Sequence, residues 1–115
     1  MRLKVSKKEI KDNYSNIITI SYCDAEYLLR GLDSKYYSTR AEGWACDYYE
    51  IDNNTIISTG YAPIDSKLRD YELTRKYDDK AREIWNNYDI DYKKRLKRIT
   101  TLRNKYVSEM LKKRG

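Results

Sequence analysis

The sequence lacks histidine and phenylalanine and has only one proline, four glycines and two cysteines among its 115 residues. Without histidine, catalysis by a nucleophile–histidine pair is excluded. Four isolated glycines exclude a glycine-rich phosphate loop. Cys23 and Cys46, with no CxxC motif, leave no ordinary zinc site and no disulfide framework. The longest apolar-looking stretch, Asn16 to Tyr22, is seven residues, which is too short for a helix that spans a bilayer.

Tyrosine and charged residues dominate what is present. The chain has 13 tyrosines, and 37% of its residues are charged while 40% are hydrophobic. Scarce proline and glycine argue against disorder, and tyrosine supplies amphipathic surface for a core or an interface. A chain of this length is sufficient for one modest hydrophobic core. We therefore expect a single domain over residues 1–115.

Hydrophobic spacing predicts a small α+β domain. We expect an antiparallel sheet of two or three strands, short N-terminal helices and a C-terminal helical pair. Residues 1–66 would form the α/β portion with an acidic hairpin, and residues 67–115 the helical portion. The predicted elements in chain order are a helix over 7–14, a strand over 17–22, a helix over 25–32, strands over 43–51 and 55–61, and helices from about 67 and 91.

Two apolar stripes run along the predicted C-terminal helices, with members three or four residues apart. We expect both stripes to be buried, because such spacing places side chains on one helical face. The first stripe comprises Leu73, Tyr77, Ala81, Ile84, Trp85 and Tyr88. The second comprises Tyr92, Leu96, Ile99, Leu102, Tyr106 and Met110.

Charge is distributed unevenly along the chain. Residues 1–89 contain 14 basic and 16 acidic residues, a net charge of −2, whereas residues 90–115 contain ten basic and two acidic residues, a net charge of +8. Residues 41–66 contain five acidic residues and no basic one. Such asymmetry indicates a partner that is guided by electrostatics. The alternative is that the two oppositely charged regions attract each other within the fold.

The basic C-terminal helix is the first candidate binding surface. Basic side chains at this density along a helix can meet successive phosphates of a nucleic acid. The alternative is the solvated face of an ordinary amphipathic helix, and a membrane-surface role is less well supported because the apolar stripe contains tyrosine. The residues that we expect to bind a partner are Lys93, Lys94, Lys97, Arg98 and Lys105.

The acidic, tyrosine-rich hairpin is the second candidate surface. Asp47 and Glu50 would dock into an arginine-rich groove that normally holds nucleic acid. The alternative is that Trp44 and its neighbours on the hairpin belong to the core.

Both cysteines are expected to be buried as small apolar residues, although Cys23, at the start of a predicted helix, could also be a reactive thiol.

No catalytic centre is expected. Asp78 and Asp79 are adjacent acids on a predicted helix, but solvated helical faces commonly carry such pairs. The chain has no DxDxDG run for an oxygen-ligated metal. We therefore predict a protein that is not an enzyme and that has no catalytic residue, no metal site and no cofactor.

Three segments of the sequence carry a resemblance to known proteins. They are Tyr22-Cys23-Asp24-Ala25-Glu26-Tyr27-Leu28-Leu29, Gly43-Trp44-Ala45-Cys46-Asp47-Tyr48-Tyr49-Glu50-Ile51 and Thr59-Gly60-Tyr61-Ala62-Pro63. Together they resemble small uncharacterised proteins of phages and mobile elements of low-G+C Gram-positive bacteria. The resemblance covers about residues 22–63 and implies an accessory protein of a mobile element, a group that includes inhibitors of CRISPR–Cas nucleases.

Charge pattern and resemblance together give two hypotheses about function. In the first, the chain is a non-enzymatic inhibitor of the anti-CRISPR type. It would act in the cytoplasm of a bacterial host by binding a CRISPR effector protein or the effector's nucleic-acid complex. In the second, it is a stand-alone regulatory protein that binds RNA or DNA directly. A homodimer through the long apolar stripe is possible in either case, and no membrane partner is expected.

Overall fold

The chain has an α+β fold, as its hydrophobic spacing predicts. A computed structural model describes residues 3–4, 17–32, 36–37, 47–52, 55–59 and 70–114. The chain divides into two compact units. The sheet unit contains residues 1–22 and 33–69, and the helical unit contains Cys23–Leu32 and residues 70–115. Residues 23–32 thus belong with the C-terminal helices rather than with the strands that flank them in sequence.

The sheet unit contains one mixed sheet. Its strands are β1 (Leu3–Lys4), β2 (Ile17–Ile20), β3 (Tyr36–Tyr37), β4 (Asp47–Ile51) and β5 (Thr55–Thr59). They lie in the order β1-β3-β4-β5-β2. β1 pairs with β3 and β2 pairs with β5 in parallel, and the other two pairs are antiparallel. The expectation of a purely antiparallel sheet of two or three strands is corrected here, because alternation within a strand carries no information about the direction of its neighbour.

The predicted hairpin is confirmed as β4 and β5. The two strands pair from Asp47 opposite Thr59 to Ile51 opposite Thr55. Asp52 opens the connection with φ of +49°, a left-handed conformation that Asp and Asn tolerate. β-Branched side chains fill the interior of the sheet unit: Ile18 and Ile57 are fully buried.

Of the two expected N-terminal helices, only the second falls on residues that the structure describes, and it is not a helix there. The helix predicted over 7–14 lies outside the described residues. Residues 25–32, predicted as a second helix, form a series of turns after a short 3₁₀ helix at Tyr22–Asp24. Leu29 N–H donates to Ala25 C=O, but Arg30 N–H donates to Tyr27 C=O, and Gly31 has φ of +84°. This turn segment, Cys23–Leu32, makes few hydrogen bonds of its own, so its backbone needs other partners.

Two antiparallel helices dominate the helical unit, α1 (Tyr71–Trp85) and α2 (Tyr92–Arg114). Asp70 caps α1, because its Oδ1 accepts from Leu73 N–H at 2.9 Å. The other oxygen of Asp70 accepts from Lys113 Nζ at 2.7 Å, which ties the start of α1 to the end of α2. This bond from Lys113 is the main reason that the pKa of Asp70 is lowered.

Asp78 and Arg103 hold the backbone of the turn segment. Oδ1 of Asp78 accepts from the N–H groups of Tyr27 and Leu28, both at 2.8 Å. Nη1 of Arg103 donates to the carbonyls of Leu28 and Arg30, both at 3.1 Å. Two buried charges, one from each helix, therefore replace the hydrogen bonds that a regular helix would supply.

Burial shifts the pKa of both charged groups toward the neutral form. The pKa of the Asp78 carboxyl is raised, since burial outweighs the two backbone hydrogen bonds that lower it. Burial lowers the pKa of Arg103 to about 10, so this side chain stays protonated at neutral pH. The expectation that the Asp78-Asp79 pair lies on a solvated face is wrong for Asp78, which is 5% exposed, and holds for Asp79.

The apolar stripes of the two helices are buried in part. On α1, Leu73, Tyr77 and Ala81 are buried, and on α2, Ile99, Tyr106 and Met110 are buried. Tyr77 and Tyr106 meet edge to face with their ring centroids 5.5 Å apart. The prediction is wrong for two positions near the connection between the helices: Tyr88 is 79% exposed and Tyr92 is 56% exposed.

We predict that an acceptor oxygen at position 78, rather than a charge, stabilises the helical unit. Asp78→Ala leaves two buried N–H groups unpaired and should cost about 2–4 kcal/mol in the free energy of unfolding. Asp78→Asn keeps an oxygen for both donors and removes a buried charge, so it should cost less than about 1 kcal/mol. Urea denaturation followed by circular dichroism measures both changes.

The neighbouring substitution Asp79→Asn is the matched control, because Asp79 is exposed. It should leave the unfolding midpoint unchanged. Equal destabilisation by Asp78→Ala and Asp78→Asn would contradict the prediction, because it would mean that the charge and not the acceptor is needed.

Candidate nucleic-acid interface

The N-terminus of α2 is set by a capping residue. Asp91 Oδ1 accepts from Lys94 N–H at 2.9 Å, and Asp91 C=O accepts from Arg95 N–H at 3.0 Å. Lys93 and Lys94 lie in the first turn of α2, which is the positive end of the helix dipole, and that turn contains no acidic residue.

One face of α2 is basic and exposed. A helix advances 100° per residue, which places six basic side chains within less than half of its circumference. These residues are Lys93, Lys94, Lys97, Arg98, Lys105 and Lys112, and all six are exposed. We call them the basic face. It contains all five residues predicted to bind a partner, and the structure brings them together on one side of one helix.

The side chains of the basic face are not neutralised within the described part of the chain. The ion pairs found there join Arg30 to Glu26 and Lys113 to Asp70. No member of the basic face takes part in either of them. The only acidic residue of α2, Glu109, accepts a hydrogen bond from the hydroxyl of Tyr77 at 2.6 Å. That bond is the main cause of the raised pKa of Tyr77.

Three other basic residues of α2 have structural roles that sequence reasoning missed. Arg103 binds the turn segment, and Lys113 binds Asp70. Arg95 Nη1 donates to Trp85 C=O at 2.6 Å. Helical spacing contains the signal, because Arg95 and Arg103 each have members of the apolar stripe three or four residues away in both directions, which places them on its side of the helix. A basic residue in line with an apolar stripe is a candidate for burial with a backbone acceptor.

A groove runs beside the basic face. It has a volume of about 650 Å³ and an open mouth. Its lining combines two lysines of the basic face with uncharged polar side chains and the bonded Tyr77 and Glu109. The lining residues are Tyr77, Thr101, Asn104, Lys105, Ser108, Glu109 and Lys112. Hydroxyl and amide groups between lysines are suited to phosphate and sugar oxygens, which provide much of the hydrogen bonding in protein–nucleic acid complexes.

An arginine–aromatic cluster lies at the connection between the helices. Trp85 and Tyr92 pack edge to face, with ring centroids 5.7 Å apart. The guanidinium of Arg30 lies 5.2 Å from the Trp85 ring centroid, and that of Arg95 lies 5.3 Å from it. Arg95 also lies 5.2 Å from the ring centroid of Tyr88. We call Arg30, Trp85, Tyr88, Tyr92 and Arg95 the aromatic corner.

The second candidate surface receives less support. Asp47 begins β4, and its side chain lies outside the described part of the structure. Glu50, also on β4, is half-buried and already takes part in an interaction within the protein. Asp47 and Glu50 therefore remain predicted binding residues without a described geometry of recognition.

The structure describes one of the two cysteines. Cys23 is exposed, so its predicted burial is wrong, and Cys46 and Trp44 lie outside the described residues. Among the residues that the structure describes, no three His, Cys, Asp or Glu side chains are grouped to hold a metal ion. In the same part of the chain, neither helix combines the length and the apolar character that crossing a membrane requires.

Comparisons with family models, curated proteins and solved structures give no significant match for this chain. The resemblance of residues 22–63 to phage and mobile-element proteins therefore stays a prediction. The basic face and the aromatic corner are the described surfaces on which a function can be proposed.

We predict that the basic residues of α2 differ sharply in what they contribute to stability. Arg103→Met leaves the carbonyls of Leu28 and Arg30 without their buried donor and should cost about 3 kcal/mol in the free energy of unfolding. Lys97→Met, which removes an exposed charge, should change it by less than about 0.5 kcal/mol. Urea denaturation of the two variants provides the comparison. Similar losses in both would contradict the assignment of a structural role to Arg103.

Proposed function

We propose that this chain is a non-catalytic binding protein whose basic face contacts the phosphate backbone of a nucleic acid. The observation that carries the proposal is the exposure of six basic side chains on one face of α2, with no ion pair to any of them in the described part of the chain. A partner that supplies regularly spaced negative charge fits this pattern.

The basic face is unfavourable for the isolated helix, which supports a role outside the fold. Lys93 and Lys97, and likewise Lys94 and Arg98, stand four residues apart, where like charges destabilise a helix by about 0.2–0.5 kcal/mol per pair. Basic residues in the first turn add a further cost, because the helix N-terminus is itself positive. A bound polyanion would remove both penalties.

The first biological setting that we propose is inhibition of a host CRISPR effector. The basic face would bind the guide RNA or target DNA carried by that effector, or an acidic surface of the effector protein itself. The acidic strand residues Asp47 and Glu50 would provide a second contact to a basic channel. This setting follows from the resemblance of residues 22–63, and the bacterial cytoplasm is its expected location.

The second setting is a stand-alone regulatory protein that binds RNA or DNA directly. The same basic face supports it without any host protein. The two settings differ in whether nucleic acid alone is enough for binding.

We predict salt-dependent binding of nucleic acid that depends on the basic face. If about six phosphates are neutralised, the logarithm of the binding constant for a duplex should fall with the logarithm of salt concentration with a slope near −5. Lys97→Glu combined with Arg98→Glu should weaken binding and make the slope shallower by about 2. Fluorescence anisotropy of a labelled oligonucleotide at several salt concentrations measures both quantities.

A variant with the same change of net charge provides the control. Lys76→Glu combined with Arg82→Glu reverses two exposed charges on α1. If net charge alone governs binding, both double variants lose affinity equally, and that result would refute a role for the basic face. Unchanged unfolding midpoints in both variants ensure that the comparison concerns binding.

We further predict that partner capture from host lysate separates the two settings. If the chain recognises a host effector through protein contacts, the effector should be retained after treatment of the lysate with nuclease. If the chain binds free nucleic acid, nuclease should remove every retained component. Mass spectrometry of the retained fraction, with the Lys97→Glu/Arg98→Glu variant as the negative control, distinguishes these outcomes.

A further inference from the structure

The aromatic corner has two exposed rings at the connection between α1 and α2. Three large hydrophobic side chains of the described residues are exposed, namely Tyr71, Tyr88 and Tyr92, and two of them belong to the corner. Single exposed apolar residues are common on protein surfaces and need no explanation. Here Tyr88 contacts Arg95 and Tyr92 contacts Trp85, which Arg95 also contacts, so the two exposed rings belong to one cluster.

Arginine contacts two of the three rings of the corner, and Tyr92 packs against one of those two, Trp85. Arg95 lies within 5.3 Å of the ring centroids of both Trp85 and Tyr88, and its bond to Trp85 C=O fixes its own position. Arg30 lies 5.2 Å from the ring centroids of Tyr27 and Trp85. Rings that are ordered before binding lose less conformational entropy when a ligand stacks on them.

The corner adjoins the basic face in sequence, at the start of α2. Tyr92 is the first residue of α2, and Lys93 and Lys94 follow it directly at the positive end of the helix dipole. Lys93 stands about 100° around the helix from Tyr92 and Lys94 about 160° from it, so Lys93 is the member of the basic face nearest to Tyr92. Aromatic rings beside a track of basic groups are the combination that recognises single-stranded nucleic acid.

Resting on the proposed function above, we propose that the aromatic corner stacks unpaired bases, so that the protein prefers single-stranded nucleic acid to a duplex. Bases inside a duplex are already stacked on their neighbours and present only their edges to a protein. A single strand exposes the flat face of every base, and stacking on an aromatic ring requires no particular sequence. The basic face would then hold the phosphates of the same strand.

The test compares three labelled probes of equal length, about 16 nucleotides. They are a mixed-sequence single strand, the corresponding duplex, and an abasic single strand that has the phosphates but no bases. Electrostatics alone favours the duplex, which carries the higher charge density. We expect the reverse order, with the single strand bound most tightly and the abasic strand bound roughly tenfold more weakly than the single strand.

Substitution of Tyr88 isolates the contribution of stacking. Tyr88→Ala should weaken binding of the single strand roughly tenfold and leave binding of the abasic strand unchanged. Tyr88→Phe keeps the ring and should bind like the parent protein. Tyr71→Ala is the matched control, because it removes an exposed tyrosine at the opposite end of α1. Since Tyr88 is 79% exposed, its substitution should leave the unfolding midpoint unchanged.

The outcomes separate this proposal from the proposed function. Tighter binding of the duplex, or equal losses for the intact and abasic strands in Tyr88→Ala, would overturn base stacking and leave the basic face as the binding surface. Absence of binding to all three probes at low salt would overturn base stacking together with the stand-alone setting of the proposed function. If Tyr88→Ala instead abolishes a concentration-dependent dimer seen by ultracentrifugation, the corner is a contact between two copies of the chain and the stacking proposal fails.

Discussion

The helical unit depends on two buried charges that bind a backbone rather than each other. Asp78 accepts from two N–H groups of the turn segment, and Arg103 donates to two of its carbonyls. Isolated buried charges are costly, and here each is offset by hydrogen bonds to main-chain dipoles. Residues distant in sequence are thereby joined in one unit with α1 and α2.

This arrangement explains how one helix contains basic residues for two purposes. Arg95, Arg103 and Lys113 are bound to acceptors within the helical unit, which fixes the side of α2 that faces the protein. The basic residues on the other side are exposed and have no internal ion pair in the described part of the chain. The net charge of the C-terminal region therefore overstates the charge that is available to a partner. The available charge is that of the exposed basic face.

Local patterns in the sequence predict the hairpin, β2 and both long helices, because the spacing of apolar side chains within each element is typical of a strand or of a helix. Strand direction and the turn segment depend on distant groups. Residues 25–32 have helical spacing, but the acceptor at Asp78 and the donors at Arg103 stabilise turns instead. The basic face follows from helical spacing alone. Helical spacing does not predict that Tyr88 and Tyr92 are exposed. The apolar spacing continues through both positions, but there the two helices no longer cover the rings.

Recognition of main-chain atoms also affects how this architecture would diverge. Asp78 and Arg103 contact no side chain of the turn segment in the bonds described above, so Glu26, Tyr27 and Arg30 could change without loss of those bonds. The length of the turn segment allows much less variation. The same holds for the left-handed Gly31, because a Cβ added at this glycine would lie 3.1 Å from Leu96 Cδ2. Distant relatives would therefore be recognised by an Asp or Asn in the middle of the first helix and an arginine in the second, rather than by the residue types of the turn segment.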